Sequence, residues 1–353
     1  METRGKLLFI GVGDIPWSSN IGMIESSQKL GWNVHLFNYR TVFKEHYSKY
    51  SILVKGLVAI IDSLLGHFRR LPWCPNFISG IYYKFGPNYQ LNVDLMNLVK
   101  ENSYDLVFIA KGDRIDPSII AKARKYSLVA YFFMDPPSVA KSINLQNFVK
   151  ASDISFMTFS NLAERYSSQG YHSIWVTQGI NHHFDSSEKI VVGSRDIDVL
   201  FFGSKNRYRQ TIVSKLSDLG IDVLCCGTGW QNPPVFGENL IRLVNNSKVI
   251  LNLCRSEKEG FSVRVVDAIA IGSIVVSDYC RDFEEVFRNG CELHWENDLD
   301  KLSLRIKDLL RRSESERDQL RAIAQKMILE KFRWDIKMRE IFDHISEIEC
   351  RER

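Results

Sequence analysis

Residues 248–278 read KVILNLCRSEKEGFSVRVVDAIAIGSIVVSD, and their division into elements decides the fold. KVILNLC (248–254) and SIVVSD (273–278) are short, nearly continuous apolar runs, the pattern of strands covered on both faces. FSVRVVDAIAI (261–271) fits either a strand or a helix by periodicity alone. Its context favours the helix, which would join two parallel strands and end at Gly272. Glu259 and Gly260 then fall in the loop that feeds the first helical turn, at the carboxyl end of a strand.

The same alternation extends in both directions. KLLFIGVGD (6–14), NVHLFNY (33–39), YDLVFIAKG (104–112), SLVAYFFMD (127–135), DISFMTFS (153–160) and SIWVTQG (173–179) read as strands in the first half. DVLFFGS (198–204) and DVLCCGT (222–228) resume the series, with helices predicted near 21–30 and 207–219. Residues 298–349 have helical composition and carry no strand signal. A chain of 353 residues is too long for one ordinary core. The expectation is two doubly wound α/β domains at 1–180 and 198–330, joined by a polar connection at 181–197. The amphipathic end, 331–349, is expected to return to the first domain, and ligands are expected at the carboxyl ends of the strands.

Composition narrows the function classes. Hydrophobic content of 45% and charged content of 25% are those of a globular protein. A net charge of +4 argues against a chain built to neutralise nucleic-acid phosphates, while leaving room for a local basic pocket. The seven cysteines are odd in number and form no CxxC, which suits reduced thiols and a cytoplasmic location. No signal peptide is evident and no apolar stretch reaches the length of a membrane span. Residues 52–73, ILVKGLVAIIDSLLGHFRRLPW, suit an amphipathic helix ending in a basic, aromatic patch. Two readings stay open for it: a helix packed on the first domain, or one making peripheral contact with a membrane or a lipid-linked acceptor.

The helix after Gly260 points to an anion. A helix N-terminus offers unpaired N–H groups and partial positive charge, and glycine lets a phosphate approach the backbone. Each dipole interaction contributes only about 0.3–1 kcal/mol, so a diphosphate also wants cations. Arg264 lies one turn in, and Lys205, Arg207 and Arg209 follow Gly203 in FFGSKNRYR. Glu259 and Asp267 suit acceptors for hydroxyls, and a diphosphate between two hydroxylated rings is a nucleotide-sugar.

The stretch resembles the E-x7-E element of retaining GT-B glycosyltransferases, EGF followed by E-A-x-A-x-G, with Asp267 in place of the second glutamate. The resemblance continues through 273–310, and DVLFFGSKNRYRQTIVSKL and LCCGTGW look like the CgeB-like branch of that group. It covers roughly 198–345, and over 1–180 it rests on architecture and the MDPPS turn. It implies a GT-B fold, two Rossmann-like doubly wound parallel-sheet domains facing a cleft. The implied activity moves a sugar from a nucleotide-diphosphate donor to a hydroxyl of a carbohydrate or lipid-linked acceptor. Retention of configuration is implied, with no metal and no cofactor besides the donor substrate. Glu259 would contact the transferred sugar and Asp267 the ribose, and the shorter aspartate makes the ribose contact the less secure. Arg209, Arg264 and the amides of Gly260 and Phe261 would hold phosphate, with Gly203 and Lys205 beside them. The turn from Gly227 to Trp230 would lie near the base. An epimerase or hydrolase on the same scaffold, or a non-catalytic binding module, are the rival readings.

The first domain would supply the acceptor side. Gly13 and Asp14 end the first strand, with Trp17 and Asn20 just beyond. GVGDIP lacks the third glycine of a dinucleotide fingerprint and reads as a loop. Asp113 and Asp135 also end strands, Asp135 being held by Pro136 and Pro137, and either would orient the acceptor hydroxyl. His182 and His183 lack a third ligand at telling spacing, so no metal site is read there. Asp196-x-Asp198 introduces a strand instead of ending one and is set aside.

Overall fold

The computed structural model describes residues 4–68, 76–140, 143–185, 195–254 and 260–349. Main-chain contacts divide the chain into two units, Met1–Thr177 with Met338–Arg353, and Gln178–Lys337.

In the first unit six strands form one parallel sheet: β1 (Gly5–Gly11), β2 (Trp32–Asn38), β3 (Leu106–Ala110), β4 (Leu128–Phe133), β5 (Ile154–Met157) and β6 (Ser173–Trp175). Their spatial order is β2-β1-β3-β4-β5-β6. Every residue of β3 and β5 is buried, which is why these strands read as unbroken apolar runs and not as alternating ones. Tyr131 on β4 stacks on Phe148 of the helix Leu145–Ala151 at 4.7 Å between ring centres. The last helix, Trp334–Glu349, brings Phe342 within 5.3 Å of the Trp32 ring, inside this same unit.

The second unit holds β7 (Ile197–Phe202), β8 (Val223–Cys226), β9 (Ser247–Asn252), β10 (Ile274–Asp278) and β11 (His294–Glu296), again all parallel. Their order is β11-β10-β9-β7-β8. Both sheets therefore wind alike, with the first strand seated between the second and third. The direction of winding reverses between β1 and β3, and again between β7 and β9. In open sheets wound this way, ligands are generally bound at the carboxyl ends of the strands that flank such a reversal.

Two local details depart from the sequence reading. The three-residue edge strand β11 was not foreseen, being too short for a periodic signal. The helix expected from 261 spans Arg264–Ile271. Phe261 is buried against Phe283 and Phe287, at 5.6 and 5.2 Å between ring centres, instead of opening the helix. The Ser262 hydroxyl accepts the Arg264 N–H at 3.2 Å, and the Ser262 carbonyl accepts that of Val265 at 3.0 Å. Gly272, at φ +100°, ends the helix as predicted.

The loops after β7 and β8 meet closely. Gly203 N–H donates to the Cys226 carbonyl at 2.9 Å and Lys205 N–H to that of Thr228 at 2.8 Å. A Cβ on Gly227 would stand 2.1 Å from the Gly203 carbonyl oxygen, and its φ of +146° also disfavours a side chain. Gly220 has φ +77° but open space around it. Gly227→Ala is therefore expected to destabilise the protein by about 3 kcal/mol. Gly220→Ala, carrying only the left-handed backbone cost, should lose about 1 kcal/mol. Chemical denaturation of the two variants checks the difference.

Candidate functional site

The second unit gathers polar groups at its switch point. Arg264, on the first turn of the helix that follows β9, reaches across to the neighbouring strands. Its Nη1 donates to Asn252 Oδ1 at 3.2 Å, and its guanidinium lies 5.7 Å from the ring centres of both Phe201 and Phe202. A Cβ on Gly203 would meet Arg264 Nη2 at 2.7 Å, so the glycine makes room for this arginine. Asn252 is 1% exposed and also donates to Ser277 Oγ at 2.8 Å. It is a polar residue inside an apolar strand, a signal the sequence offered and the reading passed over.

Asp267 lies one turn further along the same helix, with part of its surface open. The packed atoms around its carboxyl push its pKa up to about 7, against the pull of the Asn181 N–H and the Arg264 charge. The Asn181 N–H donates to Asp267 Oδ1 at 2.8 Å. Asn181 falls in the polar connection expected at 181–197, and the sequence carries no signal of its contact with Asp267.

Arg209 is engaged by carbonyls of the neighbouring loops. It is 5% exposed, and its guanidinium donates to the Leu253 carbonyl at 3.1 and 3.3 Å and to the Ser204 carbonyl at 2.8 Å. It braces the loops after β7 and β9 from beneath, because those carbonyls have no strand partner and need donors. Lys205 stands with Nζ 5.3 Å from the Trp230 ring centre. The Trp230 indole N–H donates to Gly203 O at 3.0 Å and its ring packs edge-on to Phe201, so the indole is fixed in place. Nearby, Tyr208 donates its hydroxyl to Asp278 Oδ2 at 2.5 Å, and the Cys254 N–H donates to Oδ1 at 2.7 Å. Burial, then the charge of Asp278, pushes the Tyr208 pKa up. Gly260 is half-buried beside the site. Glu259 lies outside the described residues, as do residues 186–194 of the connection and 69–73 of the amphipathic stretch.

The first unit has its own cluster at the carboxyl ends of its strands. Lys111 follows β3 with φ +77°, a strained setting for a side-chain-bearing residue. Its Nζ lies 3.0 Å from Asp135 Oδ2 after β4, and the Tyr131 hydroxyl donates to its carbonyl at 3.1 Å. Burial alone would lower the Lys111 pKa, but Asp113 and Asp135 outweigh it and hold the ammonium charged. Asp113 and Asp135 are thus brought together, around a lysine the sequence reading missed. After β1, Asp14 accepts from Asn38 Nδ2 at 3.0 Å, which with Lys44 holds its pKa below the usual carboxylate value. Trp17 is exposed, and Gly13 lies where a Cβ would strike Leu36. Asn20 is 5% exposed, and its amide nitrogen sits where a Cβ on Gly11 would fall, so it packs the loop.

The sequence of residues 207–343 matches the family described as glycosyl transferase-like. No curated protein matches the chain. Among solved structures, HepE of Anabaena in complex with UDP-glucose aligns over 98% of this chain and 100% of its own, with TM-score 0.62 and 14% identity. The N-terminal domain of Candida albicans trehalose-6-phosphate phosphatase aligns over 98% and 97%, with TM-score 0.63 and 13% identity. Sucrose-phosphate synthase of Thermosynechococcus elongatus aligns over 98% and 100%, with TM-score 0.62 and 10% identity. The chain has the GT-B fold of these structures, and its segment 207–343 is similar to the glycosyl transferase-like family. In this GT-B chain the matched segment contains Arg209, Trp230, Arg264 and Asp267.

Asp267 gives a test of its surroundings without ligand. A carboxyl whose pKa rises from 3.8 to about 7 on folding binds its proton more tightly in the native state. Its contribution is therefore most favourable at low pH, declines as pH rises through that window, and is flat above it. Asp267→Asn should melt higher than the unsubstituted protein above about pH 7, with the difference closing toward pH 4. Thermal unfolding across that range measures it.

Proposed function

We propose that the protein transfers a sugar from a nucleoside-diphosphate donor to a hydroxyl acceptor, and that the second unit holds the donor. One observation carries the reading: Arg264 and Asp267 on one short helix at the β7/β9 switch point, the arginine against Gly203 and the aspartate beside it. A cation and amide-rich loops suit a diphosphate, and the carboxyl of a half-buried aspartate suits a ribose hydroxyl. An Asp267 pKa near neutrality suits that contact, since a hydroxyl donor would favour the ionised form and lower the value. The likeness to HepE, whose structure holds UDP-glucose, makes uridine diphosphate the first nucleotide to test.

In this reading Glu259 contacts the transferred sugar, and Arg264 with the loop amides takes up the charge growing on the departing diphosphate. Arg209 contributes by holding the Ser204 and Leu253 carbonyls away from the phosphates, and Trp230 by fixing the Gly203 loop. Transfer proceeds with retention. The bond from the anomeric carbon to the diphosphate oxygen breaks, the acceptor oxygen bonds that carbon on the same face, and its proton passes to the departing oxygen. Asp113, Lys111 and Asp135 at the strand ends of the first unit, with Asp14 and Trp17 at the neighbouring loop, are the groups suited to a hydroxyl acceptor. The side chains and amides named here supply the positive field, so the reaction runs without metal.

Thermal shift against UDP, GDP, dTDP and CDP should single out one nucleotide, with about 2.7 kcal/mol of stabilisation at a hundred times its dissociation constant. Product analysis with the matching sugar donor and a panel of hydroxyl acceptors then follows. Transfer product that disappears in Glu259→Ala supports the reading. An isomerised donor formed with no acceptor present, or no nucleotide response at all, contradicts it.

A further inference from the structure

The helix Ile52–Phe68 is turned the wrong way for a core helix. Of the fourteen large apolar side chains exposed among the described residues, seven lie on it. Leu53, Leu57, Ile60 and Leu64 recur at the spacing of one helical face, and are 88, 59, 60 and 50% exposed. Phe68 continues the same face at the last residue of the helix. The one acid of the helix, Asp62, turns inward, where Arg114 Nη1 and Asn88 Nδ2 each donate to it at 3.0 Å. The ion pair anchors the helix by its polar side and leaves hydrocarbon facing out. A folded chain ordinarily does the reverse.

Charge indicates what covers this face. Residues 40–84 contain seven lysines and arginines against two acids, Glu45 and Asp62, an excess of five where the whole chain has an excess of four. Lys44, Lys49 and Lys84 are exposed, and Arg69 and Arg70 follow the helix directly in sequence. A second copy of the chain would set two such cationic surfaces against each other. An anionic lipid surface would neutralise one and accept the apolar stripe. At about 25 Å for 17 residues the helix is too short to span a bilayer, and no helix among the described residues is long and apolar enough to do so. It would lie in the plane of the interface.

We propose that residues 52–68 dock the protein onto the surface of an anionic lipid bilayer, with Leu53, Leu57, Ile60 and Leu64 inserted and the exposed Lys44, Lys49 and Lys84 attracted to the headgroups. The inference stands independently of the sugar-transfer reading. Flotation of the full chain with phosphatidylcholine vesicles, and with vesicles of equal parts phosphatidylcholine and phosphatidylglycerol, tests it. The protein should float with the mixed vesicles. Leu57→Glu/Ile60→Glu should reduce its partitioning at least about tenfold, as should molar salt. Both side chains are exposed, so the melting temperature of the variant should be unchanged. Ile52→Glu/Leu53→Glu, on the first turn, provides an independent pair should the first alter folding. Protein that ignores both vesicle types overturns the proposal, and so does a folded variant that floats as well as the parent. A dimer that either variant dissociates, with no vesicle binding by the parent, overturns it in favour of self-association.

Discussion

At the carboxyl end of β7 the chain leaves out a side chain so that another can enter. Gly203 stands where a Cβ would collide with the Arg264 guanidinium, and its carbonyl accepts the Trp230 indole. Gly227 is bare for the matching reason, since a Cβ there would overlap the Gly203 carbonyl. Arg209 closes the arrangement from below by donating to the Ser204 and Leu253 carbonyls. These contacts hold three loop segments in register beside Arg264, which Asn252 on β9 also anchors.

The same economy explains why the site is basic without being a basic patch. Arg209 and Arg264 both lie against the face of Phe201, at 5.3 and 5.7 Å from its centre. An aromatic face attracts each guanidinium through its ring electrons and holds it in place against the strand. Asp267 lies within reach of the Arg264 charge, and the packing around its carboxyl outweighs that charge and raises its pKa. The first unit balances charge differently: Lys111 lies among Asp113 and Asp135 and is neutralised by them, which suits hydroxyl groups better than phosphate.

The fold was legible because buried parallel strands must be apolar throughout. Leu106–Ala110 and Ile154–Met157 admit no other reading, and Gly272 marked the end of the decisive helix. Legibility failed where tertiary contacts overrode local pattern. Phe261 belongs by sequence to the helix after Gly260, yet the pocket formed by Phe283 and Phe287 captures it and delays the helix to Arg264. The contacts of Arg209 with the Leu253 and Ser204 carbonyls come from distant loops, and nothing local to NRYR announces them. Asn181 could not be tied to Asp267 across such a sequence separation. The helix at 52–68 showed its amphipathic period, but period alone does not say which face turns outward; that depends on where Arg114 lies to receive Asp62.

The central claim is that Arg264, seated against Gly203, grips the diphosphate of a nucleotide. Isothermal titration of the nucleotide diphosphate into the parent protein and into Arg264→Ala tests it most directly. The account predicts a loss of about tenfold to a hundredfold in affinity, as expected for a charge-assisted contact, with folding intact. Equal affinity in the two proteins would contradict it.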